Sequence, residues 1–534
     1  MTHFLRFLIV AAVALPQMVA AQSSEPLSAI DWLSDVIQPG AGVTAPGGET
    51  DISRDASIDD VSVTSIGAPQ PDAIGLLPAH VTGFSPQLWR GSSAKTAANR
   101  LRAIPLDQVP AMQDILYRLL LAELEPPADA DASAQLLLAR VDLLLALGAV
   151  DQAQALTNIL TNPSPELFRR IFDISLLLRQ EDESCASLRR QPGLSPTFQA
   201  RIYCLARSGD WSAAALSLET GRALGFVSED EDPLLAEFLE LGLADETVGL
   251  PVPSRPTPLE FRMYEAIGRP LPTLNLPRAF AHTDLHSATG WKNQIEAAER
   301  LVQTGAIDMN QLLGLYRAQR PAASGGVWDR AAAIQSLDGA LLAQSPDVLG
   351  AAMRLAMQAM QEVELEVPFA RAFCPKLSDR AAGPAAQLMH KAICGLAGRW
   401  DEPPVSAQGL SSQLIEIASL SGFQGPPARN LQDAIARGFA HKGVPTRLQS
   451  LVSEGRQGEA LLRVFEMVES GANGDLDELV DALGFLRAIG LDDCLPPHHH
   501  QTMFAPRHYT RSRVCVFAFG VSYPAFNGAI SQQF

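Results

Sequence analysis

Two pairs of cysteines constrain this chain more than any other feature of its sequence. Cys185 and Cys204 are 19 residues apart, and Cys374 and Cys394 are 20 residues apart. In both pairs the second cysteine lies late in a helical run, which ends at a glycine shortly before a tryptophan. A disulfide of this span joins neighbouring antiparallel helices with easy geometry. We therefore expect two helical hairpins, each pinned by a disulfide, because the alternative, a redox-active dithiol, favours a Cys-x-x-Cys spacing that is absent.

The region between residues 93 and 491 has a helical pattern throughout. Hydrophobic residues make up 47% of the chain but aromatic residues only 6%, so Ala, Leu and Val supply most of the core, as is typical of closely packed helices. Glycines that close a last helical turn follow many of the segments: Gly148, Gly209, Gly225, Gly268, Gly305, Gly398, Gly455 and Gly490. Capping residues before proline or an apolar residue mark the starts: Ser164-Pro165, Ser195-Pro196, Asp210-Trp211 and Ser345-Pro346.

Several hairpins share the pattern Gly-x-x-x-x-Ala. It occurs at 148–153, at 209–214 and at 455–460, and the first copy follows the run Leu143-Leu144-Leu145-Ala146-Leu147. This pattern resembles the turn and second helix of the tetratricopeptide repeat, in which glycine permits the tight turn and alanine lets the helices approach closely. The copies do not follow the regular period of about 34 residues. The resemblance implies an all-α, tetratricopeptide-like α-solenoid of degenerate helix hairpins, and the alternative is an irregular helical bundle.

Changes of composition divide the chain into six parts. We predict a signal peptide (1–21), a Pro/Gly/Ser-rich segment that is largely disordered or docks on the main body (22–90), a first helical-repeat region (91–250), a Pro-rich connector with short helices that is a hinge or a domain boundary (251–290), a second helical-repeat region (291–493) and an atypical tail (494–534).

The first residues predict export. Arg6 precedes a short apolar segment, and small residues up to Ala21 fit cleavage before Gln22. No later apolar segment is long enough to span a bilayer, and no cysteine lies near the cleavage site to carry a lipid anchor. Paired cysteines fit an oxidising compartment. We therefore expect a mature protein in a bacterial periplasm, without a membrane span.

The tail, 494–534, has no acid and does not continue the helical pattern. Three interpretations stay open: a disordered appendage, a small β-like addition, or an out-of-frame translation of the original terminus, which we favour. Cys494 and Cys515 lie in this tail, and they pair with each other or remain free.

The formal charge of −18 excludes some partners. Such a surface repels nucleic acid and anionic lipid. A protein or peptide partner remains compatible with it, although excess acid on an exported protein commonly serves solubility alone.

Tryptophans are the candidate contact residues. They begin or flank helices at glycine-containing turns: Trp211, Trp291, Trp328 and Trp400. Aromatic residues in such places usually wedge one repeat against the next. The alternative is a line of rigid anchors on a concave face that grips a peptide.

Motifs for chemistry are weak. His282 and His286 stand one helical turn apart, but the zinc-protease pattern needs glutamate where this chain has Thr283, so we expect ordinary helix-surface histidines. Ser92 and Lys95 match Ser-x-x-Lys without its companion motifs. We therefore predict no catalytic residue, no metal site and no cofactor.

Together these features predict an exported, non-enzymatic helical-repeat protein that acts as a protein- or peptide-binding scaffold or regulator in the bacterial cell envelope. The alternative is a cell-wall-active enzyme or its accessory superhelical domain, since some lytic transglycosylases carry a large periplasmic α-superhelix. The predicted scaffold role follows from the compartment and the architecture of the chain and not from a recognised binding site.

Overall fold

The Ala- and Leu-rich segments form helices almost wherever the pattern predicts them. The computed structural model describes residues 70–240, 250, 252–286, 288–343, 346–377, 383–399 and 428–491. Within these ranges the chain is helical, apart from turns and one isolated parallel β-bridge between Leu77 and Ala122. The prediction of an all-α protein is therefore confirmed for the described residues. The signal peptide, Trp400, Ser345 and the tail with Cys494 and Cys515 lie outside them.

Helices up to the connector are numbered in chain order. They are α1 (Ala79–Thr82), α2 (Ala94–Arg102), α3 (Pro110–Leu121), α4 (Gln135–Ala146), α5 (Val150–Thr157), α6 (Pro165–Leu177), α7 (Glu181–Arg190), α8 (Phe198–Arg207), α9 (Trp211–Leu224), α10 (Asp232–Glu240) and α11 (Pro258–Ala266). Short 3₁₀ turns cover Pro71–Ala73, Pro192–Leu194 and Arg278–Leu285.

The remaining helices follow the connector. They are α12 (Trp291–Gln303), α13 (Met309–Ala318), α14 (Val327–Ala343), α15 (Pro346–Gln361), α16 (Glu366–Leu377), α17 (Pro384–Leu396), α18 (Ala428–Ala440), α19 (Thr446–Ser453), α20 (Gln457–Ala472) and α21 (Leu476–Ala488).

Local signals place the helix ends. All eight glycines expected to close a helix have positive φ, for example Gly148 at 82° and Gly209 at 86°, which glycine adopts at little cost. The side chains of Ser164 and Asp210 accept hydrogen bonds from backbone N–H groups in the first turns of α6 and α9. One start was misplaced: Thr197, and not Ser195, caps α8.

Two hydrophobic cores organise the described residues. The smaller core is formed by α6 to α11 and contains the first disulfide, between Cys185 and Cys204. The larger core takes in the other helices, together with the inner side of α6, and contains the second disulfide. Many contacts join helices that are neighbours in sequence, such as α8 with α9 and α14 with α15. Others join distant segments, such as α6 with α11, so packing is not confined to adjacent hairpins.

Residues 70–90 dock on the main body, which is one of the two alternatives for the N-terminal segment. The Arg140 guanidinium donates hydrogen bonds to the carbonyl oxygens of Ile74 at 2.6 Å, Leu120 at 2.7 Å and Ala122 at 3.0 Å. Asp72 accepts a hydrogen bond of 2.8 Å from the Leu137 N–H in the first turn of α4. These bonds satisfy backbone groups that would otherwise be buried without partners.

The beginning and the end of the described chain meet. Trp89 is 3% exposed, and a Cβ atom on Gly458 would lie 2.4 Å from its ring, so only glycine fits at this position in α20. The Gly91 N–H donates a hydrogen bond to the Gly455 carbonyl at 3.2 Å. Beside this contact, Arg100 of α2 pairs with the fully buried Glu459 at 3.1 Å.

The Pro-rich connector packs firmly against both sides. The Phe280 ring is fully buried and meets the edge of Phe261, with ring centroids 5.3 Å apart. Arg300 donates hydrogen bonds to the carbonyl oxygens of Thr273 at 2.9 Å and Leu276 at 2.8 Å. The described part of the connector is therefore packed and hydrogen-bonded within the fold, and its interpretation as a hinge or a domain boundary stays a prediction.

Candidate binding pocket

The four cysteines of the two pairs come together as their spacing predicts. Cys185 of α7 is bonded to Cys204 of α8, with Cα atoms 5.1 Å apart. Cys374 of α16 is bonded to Cys394 of α17, with Cα atoms 4.9 Å apart. All four side chains are buried, so each disulfide is part of a core and not an exposed redox group.

The tryptophans divide between packing and exposure. The Trp291 and Trp328 rings lie 5.1 Å apart by their centroids, and the Trp291 indole N–H donates a hydrogen bond of 2.8 Å to the Leu315 carbonyl. Both rings pack against the larger core and join α12, α13 and α14. Trp211 differs, because it is 40% exposed at the first position of α9. Only Trp211 is thus placed to meet a ligand among the three described candidates.

Trp211 lines a pocket at one end of the smaller core. The cavity measures about 420 Å³ and lies between the C-terminal ends of α8, α10 and α11 and the first turn of α9. Three aromatic rings form one wall. Tyr203 stacks on Phe238 with centroids 5.5 Å apart, and Trp211 lies 6.3 Å from Phe238. The lining residues are Arg179, Tyr203, Ala206, Arg207, Trp211, Phe238, Arg262, Glu265 and Ala266.

Three arginines face the aromatic wall. Arg179 and Arg207 keep 32% and 39% of their side chains exposed, whereas Arg262 keeps 11%. Among the described residues that line the cavity, Glu265 is the one acid, and it pairs with both Arg179 and Arg262. The lining therefore carries more positive than negative groups, on a chain whose total charge is strongly negative.

A buried carboxylate supports this wall from behind. Glu181, the first residue of α7, is fully buried, and its Oε1 atom accepts hydrogen bonds from the Tyr203 hydroxyl at 3.0 Å and from Arg262 Nη2 at 3.1 Å. Arg207 Nη1 lies 3.4 Å from the same oxygen. Glu181 stands one turn before Cys185, and Tyr203 directly precedes Cys204, so the disulfide and the Glu181 network join the same two helices. The disulfide therefore holds the pocket wall in place.

The protonation states follow from burial and from this network. Burial and the neighbouring Glu181 raise the pKa of the Tyr203 hydroxyl, which stays protonated and donates. Burial alone would lower the pKa of Arg207, but its hydrogen bond with Asp182 and the charge of Glu181 outweigh burial and raise it. Burial, together with the positive charges of Arg179 and Arg262, lowers the pKa of His286 near the pocket. Arg207 therefore remains charged.

Some polar atoms around the pocket have no hydrogen-bond partner. Arg179 Nε and Arg262 Nε are buried donors without an acceptor among the described residues, and Glu181 Oε2 is a buried acceptor without a donor there. Most buried polar groups in folded proteins are hydrogen-bonded. These three atoms are inaccessible to solvent, so a ligand in the cavity meets the exposed parts of Arg179 and Arg207 instead.

The lining suits binding better than chemistry. Arginine does not exchange protons near neutral pH, and the Glu265 carboxylate is held between two guanidinium groups. The aromatic rings supply flat apolar area and the guanidinium groups supply hydrogen bonds, which is the combination found at binding hot spots. Two other cavities in the described residues have no aromatic wall: one between α18 and α21, and one beside Arg100, Arg447 and Arg463.

The histidines do not form the helix-surface pair expected from their spacing. His282 lies in the 3₁₀ turn, is buried, and donates from Nε2 to the Gly148 carbonyl at 2.6 Å. His286 lies just beyond this turn and is exposed. The helix-surface assignment of His282 was therefore wrong, because the connector packs inward. No group of three or more His, Cys, Asp or Glu side chains able to hold a metal is found in the described part of the chain.

Sequence reasoning missed most of the pocket. Arg179, Glu181, Phe238 and Arg262 carried no recognisable signal, because their side chains meet across as many as 81 residues of sequence. Glu181, Tyr203 and Arg207 stand where the second cysteine pair has Ala370, Ile393 and Ala397, and this difference is the hint that the sequence offers.

In the described ranges, no helix combines the length and the apolar character that crossing a bilayer requires. No protein-family model matches the chain, and no curated protein or solved structure is significantly similar to it.

Proposed function

We propose that this chain is an exported, non-enzymatic helical-repeat protein that binds a protein or peptide partner in the bacterial cell envelope. In this proposal it acts as a scaffold or regulator, and its helix hairpins form a tetratricopeptide-like array. The observation that carries the proposal is the half-exposed Trp211 at the mouth of a pocket walled by aromatic rings and arginines.

Features that indicate an oxidising compartment support the proposal independently of the pocket. Two buried disulfides fit folding in an oxidising environment, because such bonds are rare in proteins of the reducing cytosol. The basic start, the apolar segment and the small residues before Gln22 fit a secretory leader. Both features agree with function outside the cytosol, where envelope proteins are the available partners.

The test compares capture by the mature chain with capture by two variants. Wild-type protein, Trp211→Ala and Leu342→Ala are immobilised and exposed to periplasmic extract. Leu342 is 81% exposed and lies on α14, away from the pocket, so Leu342→Ala controls for loss of exposed apolar area. We expect one partner to be retained by wild type and by Leu342→Ala, and to be lost from Trp211→Ala.

Two results would contradict the proposal. One is equal capture by all three proteins, because binding would then not use the pocket. The other is release of soluble muropeptides from purified peptidoglycan by the mature chain alone, which would favour a cell-wall enzyme.

A further inference from the structure

We infer that the pocket recognises a carboxylate next to an aromatic side chain on a peptide segment of the partner. This inference rests on the proposed function and names the chemistry that the pocket selects. It depends on three features: the arginine donors, the local charge and the aromatic wall.

Available donors favour a carboxylate. A guanidinium has five N–H donors in a planar fork and pairs with a carboxylate through two parallel hydrogen bonds. Arg207 and Arg179 each retain about a third of their side-chain surface at the mouth of the pocket. These exposed parts of Arg179 and Arg207 are the lining guanidinium surface that a ligand reaches, and a ligand carboxylate provides two oxygens to accept from them.

The local charge agrees, although the whole chain is acidic. Charges farther away than about 8 Å are largely screened at physiological ionic strength, so the lining matters more than the total of −18. The three arginines are paired with three carboxylates, Glu265, Glu181 and Asp182, so the cluster is close to neutral on a strongly acidic chain. Of these carboxylates only Glu265 is among the described residues that line the cavity, so the guanidinium groups outnumber the acids that a ligand meets there.

The aromatic wall selects the neighbouring side chain. Trp211 offers an accessible ring, and Phe238 and Tyr203 continue the apolar surface inward. A second aromatic ring stacks on such a surface with an attraction beyond simple burial. The volume of about 420 Å³ lies at the small end for ligand pockets and suits one or two side chains better than a large cofactor.

The surroundings indicate a polypeptide and not a free small molecule. Helix α9 leads away from the pocket with Leu216 and Leu224 at 69% and 62% exposed, and Phe226 follows at 60%. Several exposed apolar side chains in one short segment are typical of a surface that meets a larger partner.

The experiment uses three end-blocked peptides and isothermal titration calorimetry on the mature protein. The probe is acetyl-Gly-Ser-Phe-Glu-Ser-Gly-amide, and its controls carry Gln in place of Glu or Ala in place of Phe. We expect the Phe-Glu peptide to bind, and each control to bind at least tenfold more weakly. Raising the salt concentration should weaken binding of the Phe-Glu peptide more than binding of the Phe-Gln peptide, because salt screens the attraction between the glutamate and the arginines.

A matched pair of variants assigns the effect to the pocket. Arg207→Gln removes a lining guanidinium that is 39% exposed, and Arg317→Gln removes one on α13 that is 38% exposed and pairs with Asp338. We expect Arg207→Gln to lower the affinity for the Phe-Glu peptide to about the affinity that the wild type has for the Phe-Gln peptide. Arg317→Gln should leave the affinity for the Phe-Glu peptide unchanged. Thermal unfolding of both variants checks that they fold.

Equal affinity for the Phe-Glu and Phe-Gln peptides, or no binding of any peptide at millimolar concentration, overturns the inference. The proposed function survives either result if partner capture still depends on Trp211. Loss of that dependence would instead remove the proposed function itself, so the two failures are distinguishable.

Discussion

The two disulfide regions share a sequence signature and differ in what surrounds the bond. In the first region (165–267), the positions around the cysteines hold Glu181, Tyr203 and Arg207, which form the polar wall of the pocket. In the second region (346–399), the positions at the same distances from Cys374 and Cys394 hold Ala370, Ile393 and Ala397.

All three residues of the second region are buried in the larger core, beside Phe369 and Phe373. The two bonds close loops of almost equal length, so the crosslink itself does not account for the difference between the regions. Disulfides of the same span therefore have apolar neighbours in the second region and a charged cavity wall in the first. The difference lies in the flanking side chains and not in the cysteines.

The largest expected effect comes from removing the buried carboxylate of the first region. Glu181→Ala removes the acceptor of the Tyr203 hydroxyl and one of the two carboxylates that pair with Arg262, and loss of one partner from a buried charge pair costs about 3–5 kcal/mol of unfolding free energy. Urea unfolding measures the loss, and calorimetry with the Phe-Glu peptide measures the expected loss of binding.

A compensated variant separates stability from binding. Glu181→Leu, Tyr203→Phe and Arg262→Met together give the first region an apolar interior like that of the second. Buried ion pairs can often be replaced by apolar residues with little loss, so we expect the unfolding free energy to return to within about 2 kcal/mol of wild type, without recovery of peptide binding. Recovered binding would show that the charges are not needed for recognition.

Removal of each disulfide should have an intermediate effect. Cys185→Ala with Cys204→Ala, and Cys374→Ala with Cys394→Ala, should each lower the unfolding free energy by about 3 kcal/mol in the chain-entropy model, because the closed loops are alike. Under conditions where both double variants remain folded, we expect only the first to bind the Phe-Glu peptide more weakly than wild type. Equal weakening by both would break the distinction between the regions.

The smallest effect concerns pH. Burial raises the pKa of Glu366 in the second region from 4.5 to about 7, and Glu364 adds to the shift. The pKa of Glu366 is higher in the folded than in the unfolded protein. The contribution of its proton binding to the unfolding free energy is therefore complete below the unfolded-state pKa and is lost as the pH rises towards 7. The wild type should therefore lose about 1 kcal/mol relative to Glu366→Gln between pH 6 and pH 7, as measured by urea unfolding.

Asp173 provides the matched case in the first region. Burial also raises its pKa to about 7, but Arg169 and Arg170 oppose the shift. The net shift is still upward, so the charged carboxylate is disfavoured in the folded protein in spite of the two arginines. Asp173→Asn should therefore remove a slope of the same sign as Glu366→Gln does, as measured by urea unfolding between pH 6 and pH 7. If the unfolding free energy of wild type and that of Glu366→Gln changed equally with pH between pH 6 and pH 7, the assignment of a raised pKa to Glu366 would be contradicted.

Much of the fold was predictable because its signals are local. A glycine after a helical run, or a serine before a proline, reports on a few neighbouring residues, and all eight glycines and the Ser164 cap were placed correctly. The cysteine pairs were predictable because a crosslink of 19 or 20 residues fits one hairpin. The Ser195 error is also local, since Thr197 offers the same kind of capping oxygen two residues later.

The pocket was not predictable, because its charges meet over long stretches of sequence. Arg179 and Glu265 are 86 residues apart, and neither residue is unusual where it stands. The inward packing of His282 depends likewise on a carbonyl 134 residues away. Trp211 was named among the candidates, but its exposure, in contrast to the partly buried contact of Trp291 with Trp328, becomes visible only in three dimensions.

The contact of Trp89 with Gly458 has a consequence for how the molecule comes apart. A linear stack of hairpins frays from its termini inward, because its outermost hairpins have a neighbour on one side only. Here the first described helices and α20 cover each other, and the Gly91–Gly455 hydrogen bond joins them. Opening of either side uncovers Trp89 and breaks this hydrogen bond, so we expect the two ends of the described chain to unfold together.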